Sequence, residues 1–119
     1  MLTVGVDLVD IERIRQTVER FGDRFTSRVF TADELSAANG QPASLAARFA
    51  AKEAAAKALG WGIGQIAWRD IEVVSDDRGK PALRLHGPAG ERARTLGIAE
   101  LALSLAHERA LAIAFVVGA

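Results

Sequence analysis

Two lysines and a glutamate are set in an alanine-rich run, Arg48-Phe-Ala-Ala-Lys-Glu-Ala-Ala-Ala-Lys57, that ends at Gly60. Arg48 and Lys52 are four residues apart, as are Glu53 and Lys57, so on a helix each pair lies along one side. Glu53 follows Lys52 directly, about 100° around the axis. Taken alone, Glu53 with Lys57 reads as an exposed ion pair contributing about 0.2–0.5 kcal/mol. Their surroundings open a second reading. Ala50, Ala51, Ala54, Ala55 and Ala56 leave little bulk beside the charges, so a ligand or another backbone can come close. Alanine is also simply the best helix former.

Asp7 lies in an apolar stretch, Val4-Gly-Val-Asp-Leu-Val9, where an unpaired carboxylate would be costly to bury. It reads either as a magnesium ligand, since that hard ion favours carboxylate oxygens and completes its shell with phosphate and water, or as a strand-end residue bonded to nearby backbone. A second carboxylate, from Glu53, would favour the metal. His107 continues the alternation of Leu101, Leu103 and Leu105 and can be structural or functional. His86, before Gly87-Pro88 and without a partner motif, reads as structural. Gly60-Trp-Gly-Ile-Gly64 could bring backbone N–H groups to a phosphate, but it matches neither the Walker A pattern nor G-x-G-x-x-G.

The elements that must position these groups follow from periodicity and punctuation. Leu2 to Val9 reads as a strand carrying Asp7 near its C-terminal end. Asp10 caps a helix with Ile11, Ile14, Val18 and Phe21 at helical spacing, stopped by Gly22. Thr31-Ala-Asp-Glu34 has the capping-box form and opens a short helix that fades at Asn39-Gly40, with Gln41-Pro42 as a loop. Ser44 is the expected cap of the long helix and Gly60 its stop. Ile71 to Val74 and Ala82 to Leu85 form a hairpin around Asp76-Asp-Arg-Gly79. Pro88 begins a helix toward Gly97. Leu101 to Ala106 and Ala110 to Val117 make a second hairpin with His107 at the bend. Helices mixed with hairpin-linked strands indicate α+β, a mostly antiparallel sheet against a long central helix.

At 119 residues the chain supports one domain, 1–119, with a single core. Fifteen basic and fifteen acidic side chains cancel, so no global field draws it to nucleic acid or an anionic membrane, and any anion site must be local. There is no cysteine, hence no disulfide framework and no thiolate ligand or nucleophile. No secretory leader pattern begins the chain and no apolar run is long enough to span a bilayer, so a cytoplasmic location is expected. A core made mainly of Ala, Leu, Ile and Val, with few aromatics, leaves oligomerisation as a way to bury further apolar surface.

Taken in order, Gly5-Val-Asp-Leu-Val-Asp-Ile-Glu-Arg13, Arg28-Val-Phe-Thr-Ala-Asp-Glu34, Arg48-Phe-Ala-Ala-Lys-Glu-Ala-Ala-Ala-Lys57, Asp70-Ile-Glu-Val73 and Leu103-Ser-Leu-Ala-His107 resemble the holo-acyl-carrier-protein synthases, the small phosphopantetheinyl transferases. The resemblance spans nearly the whole chain. It implies transfer of 4'-phosphopantetheine from coenzyme A to a serine of apo acyl carrier protein, releasing adenosine 3',5'-bisphosphate, in support of fatty acid biosynthesis. Carrier domains of multidomain synthases are an alternative acceptor, and an inert binding module of the same fold is the alternative outside catalysis. On the matching positions, Asp7 and Glu53 would hold Mg2+, Glu53 would help deprotonate the serine, and Lys57 would stabilise the leaving phosphate oxygen. Arg48 and Lys52 would bind coenzyme A phosphates, with Gly60 and His107 near the nucleotide. A homotrimer is implied as well. An acidic carrier protein would dock on Arg13, Arg20, Arg24 and Arg28, although Glu12, Glu19 and Asp23 can also balance these as a solvated face. Two positions depart from the family: Trp61 and Ala106 stand where hydroxyl residues are usual, each removing a hydrogen-bonding group near the expected nucleotide site.

Overall fold

A computed structural model describes residues 1–119. Strand β1 (Thr3–Asp10) leads into helices α1 (Ile11–Phe21), α2 (Asp23–Val29), α3 (Ala32–Ala38) and α4 (Pro42–Leu59). A 3-10 turn (Trp68–Asp70) precedes β2 (Ile71–Ser75) and β3 (Pro81–Leu85), followed by α5 (Gly87–Leu96), β4 (Leu101–Glu108) and β5 (Leu111–Gly118). The main sheet is three-stranded and antiparallel, ordered β1-β5-β4, and β2-β3 forms a separate hairpin. The fold is the expected α+β arrangement, with α4 packed on the sheet.

The local signals act as their chemistry requires. Asp10 accepts a hydrogen bond from the Glu12 backbone N–H at 3.0 Å and caps α1. Thr31 and Glu34 form a reciprocal capping box at α3. Two expectations shift. The long helix is capped at Gln41, with Pro42 in the first turn, and Ser44 instead accepts from the Arg48 guanidinium one turn on. Proline belongs at that position because its missing N–H is one the helix would leave unpaired. Strand β4 extends through His107 to Glu108, so the bend falls at Arg109, the residue in the left-handed region at φ 54°. Asp7, Gly5 and Val9 all point from β1 toward α4, as the two-residue period demands.

The core lies between α4 and the inner face of the sheet. Ala50, Ala51, Ala54 and Ala55 on the helix meet Ala112, Ala114 and Val116 on β5, all fully buried. Small side chains on both surfaces bring the backbones together. Gly5 shows how closely: a Cβ there would sit 1.9 Å from the Ala54 carbonyl oxygen and 2.9 Å from the Ala58 nitrogen. The outer face of the same sheet is apolar yet exposed. Val4, Val6 and Leu8 on β1 stand beside Val117, Phe115 and Ile113 on β5 in register. A monomer gains nothing from such a patch.

Candidate active site

The contact between β1 and α4 sets three of the expected residues in one place. Asp7, Glu53 and Lys57 line a cleft of about 480 Å³ with Arg13, Phe25 and Phe49. The Lys57 ammonium donates to the Asp7 carboxylate at 3.2 Å and to the Val6 carbonyl at 2.9 Å. Asp7 keeps 19 % of its side chain exposed and Lys57 55 %, so both groups can reach a ligand entering from solvent. Glu53 is half-buried. Burial first, then the negative charge of Asp7, push its carboxyl above the usual range, while Lys57 opposes them.

Two carboxylates in a cleft open to solvent, Glu53 with its proton affinity raised by burial and by Asp7, form a hard-oxygen donor set. A divalent cation would relieve their repulsion, and with only two protein ligands it would draw the rest of its shell from water and substrate oxygens. Magnesium suits that arrangement, since it keeps several waters and binds through one or two carboxylates plus phosphates. The residues present therefore fit the metal implied by the sequence.

The phosphate contacts divide differently from expectation. Arg48 is half-buried, its guanidinium held by the Ser44 hydroxyl and carbonyl, with Nε buried and unpaired. Burial lowers its proton affinity and the charge of Glu34 partly restores it. Lys52 is corrected outright. None of its side chain is exposed, and its ammonium donates to Glu34 at 2.7 Å, the Ile71 carbonyl at 2.5 Å and the Trp68 carbonyl at 3.2 Å. An ammonium so enclosed, with all three donors used, cannot touch a coenzyme phosphate. A signal for this was present in the sequence: Lys52 shares its helix stripe with Leu45, Ala55, Ala56 and Leu59, all buried.

Gly60 ends α4 in the left-handed conformation at φ 72°, and its N–H caps the last turn. Beside it, Arg92 of α5 donates to the Leu59 carbonyl at 2.9 Å and stacks over the Trp61 ring at 4.7 Å. The bulky residue at position 61 thus has a cationic partner, which no local spacing pattern announced. His107 is not brought to the Asp7 cleft within one chain. It is exposed and lines a separate open depression with Leu8, Arg109, Leu111 and Ile113. His86 is bonded to Glu72 at 3.0 Å, which makes it the structural residue expected.

On α1 and α2, Arg13, Arg20, Arg24 and Arg28 are all exposed. Arg20 and Arg24 flank the exposed Phe21 ring at 5.1 and 5.8 Å from its centre. Arg13 reaches the Asp7 cleft, whereas Arg24 and Arg28 border a neighbouring depression with Phe21 and Phe25.

Residues 3–115 match the family model of the 4'-phosphopantetheinyl transferase superfamily. The chain is 54% identical to the holo-[acyl-carrier-protein] synthase of Herpetosiphon aurantiacus, covering 99% of this chain and 98% of the relative, and 49% identical to that of Halorhodospira halophila, covering 96% and 94%. Among solved structures, the holo-[acyl-carrier-protein] synthase of Helicobacter pylori in complex with coenzyme A superposes with a TM-score of 0.89 at 32% identity, covering 98% of this chain and 99% of that one. The Neisseria meningitidis enzyme superposes with the same TM-score at 37% identity, covering 98% and 97%. With its motifs in order, its fold superposed along its length and about half its positions shared with such relatives, the chain belongs to the 4'-phosphopantetheinyl transferase superfamily, among the holo-[acyl-carrier-protein] synthases.

Proposed function

We propose that the chain transfers 4'-phosphopantetheine from coenzyme A to a serine of apo acyl carrier protein. The observation that carries this reading is the juxtaposition of Asp7, Glu53 and Lys57 in one solvent-open cleft. In the reaction the serine oxygen bonds to the phosphorus that bears pantetheine, the bond from that phosphorus to the bridging oxygen breaks, and adenosine 3',5'-bisphosphate leaves. Asp7 and Glu53 would hold Mg2+, which when bound would supply charge neutralisation for the phosphates. Glu53, with its proton affinity raised by burial and by Asp7, takes the serine proton through water. Lys57 leaves Asp7 and carries its charge to the departing phosphate oxygen. Arg48, half-buried and not enclosed as Lys52 is, is the cation left on α4 for a coenzyme phosphate.

The exposed arginines of α1 and α2, on and beside the cleft that holds Asp7, present a basic rim to an acidic carrier protein. The bare outer face of the sheet supports a homotrimer, in which Val6, Phe115 and Ile113 are covered by neighbours. Leu8 lies between the Asp7 cleft and the His107 depression, at the edge of that face. A neighbouring subunit seated there joins the two into one composite site, which gives His107 a route to the nucleotide. The site assignment is tested with Glu53→Gln and Asp7→Asn. Both variants should fold, bind Mn2+ at least about tenfold more weakly and lose nearly all transfer; wild-type turnover in either one refutes the metal pair.

A further inference from the structure

We infer that Lys52 is a positioning residue: its buried ammonium pins α4 to the rest of the molecule so that Glu53, the next residue, faces Asp7. The inference rests on reading Asp7 and Glu53 as the metal-bearing pair. The three acceptors of the ammonium come from three separate elements, Glu34 of α3, Trp68 of the 3-10 turn and Ile71 of β2. Glu34 is itself fixed. Its Oε1 accepts from the Thr31 N–H at 2.9 Å and its Oε2 from the Val73 N–H at 2.9 Å. The Lys52 tie also holds the turn whose Trp68 ring packs at 4.8 Å on Phe49, a wall of the Asp7 cleft one helical turn before Glu53.

A helix lined with alanine needs such a tie. Helices usually settle their rotation and register by seating side-chain ridges in grooves, and alanine ridges are shallow. Two lysines of α4 reach other elements, and they do so on different sides. Lys57 binds Val6 and Asp7, but it must release Asp7 to act on a phosphate. Lys52 has no such duty and no access to solvent, so its tie persists through the reaction. Stability alone does not account for it. A buried ion pair contributes little net stability compared with apolar side chains of similar size, and the best-attested use of buried polar groups is to specify register.

The test uses the full chain with Lys52→Met, which keeps the unbranched stem and deletes the ammonium. Three readouts are compared with wild type: far-UV circular dichroism for folding, Mn2+ affinity by electron paramagnetic resonance without coenzyme A, and 1H–15N amide shifts. The pin predicts a folded variant whose Mn2+ affinity falls about tenfold, whose kcat falls about 10- to 100-fold as for a displacement near 1 Å, and whose Val6, Asp7 and Glu53 amides shift. A folded variant with wild-type Mn2+ affinity and unmoved Val6 and Asp7 amides overturns it, whatever its melting temperature. Should Lys52→Met fail to fold, Glu34→Asp decides, because it keeps the charge and withdraws the acceptor by one methylene. The same changes in smaller measure are expected there, and their complete absence overturns the inference. If the wild-type protein binds no Mn2+, the metal reading fails, and the amide shifts alone still judge the pin.

Discussion

Replacing Gly5 by alanine adds one methyl group at the closest approach between β1 and α4. That Cβ would lie 1.9 Å from the Ala54 carbonyl oxygen, with the Ala54 carbon and Ala58 nitrogen each at 2.9 Å. Ordinary contact begins at 3.4 Å, so strand and helix must part by about 1.5 Å at this point. All three neighbours are backbone atoms, which cannot rotate aside. Overpacking of this kind costs about 1–3 kcal/mol, and the upper end applies where nothing flexible can yield. Asp7 is two residues along the same strand face, so the displacement also separates it from Glu53. A misplacement near 1 Å at a reacting centre costs about 100-fold in rate. Urea unfolding and turnover, measured on the same preparation, check both numbers. Gly62, which has nothing within 4 Å of an added Cβ and no positive φ, is the control for stability: Gly62→Ala should leave it unchanged or slightly raised. Wild-type stability and rate in Gly5→Ala would refute the close packing that positions the site.

Two further outcomes follow from the geometry. Burial pushes the Glu72 carboxyl up, but hydrogen bonds from His86 and Thr31, with the charges of His86 and Arg84, outweigh it and hold the group below its usual value. A depressed carboxylate contributes stability that is present above its unfolded pKa of 4.5 and is lost as pH falls through the folded value. Glu72→Gln should therefore destabilise the protein at neutral pH and converge with wild type on acidification below 4.5, read by denaturant unfolding across pH; a deficit constant with pH would contradict this. Phe115→Glu places a charge in the middle of the bare sheet face, which would cost on the order of 2 kcal/mol or more in each covered contact. Light scattering should find the wild-type chain trimeric and the variant monomeric, and equal masses would count against that interface.

Much of this arrangement was legible in the residues themselves. Asp10, Thr31 with Glu34, and Gly60 mark helix ends through local hydrogen-bonding chemistry, and each acts where it stands. Asp7, Glu53 and Lys57 are joined in the sequence by the resemblance to the synthase motifs, since strand and helix periodicity alone leaves an ion pair and a strand-end carboxylate as open readings. The resemblance gives Lys52 a coenzyme phosphate, whereas its helix stripe, followed to Leu45 and Leu59, places it inside. Its partners Glu34, Trp68 and Ile71 lie 18, 16 and 19 residues away and are joined only by tertiary folding. The Glu72–His86 bond and the Arg92–Trp61 stack are hidden for the same reason. Ser44 lost the cap position to Gln41 because Pro42 suits the first helical turn. His107 lies two residues before the bend at Arg109, and its place beside Leu8 depends on the sheet register.

Transfer of phosphopantetheine is read out by the mass of the carrier protein. Purified chain, Mg2+, coenzyme A and apo acyl carrier protein are incubated together, with an established transferase run in parallel. The carrier should gain the mass of one phosphopantetheine group at its serine, in step with release of adenosine 3',5'-bisphosphate, and neither should occur when a chelator removes the metal. A carrier of unchanged mass, while the parallel reaction succeeds, would contradict it.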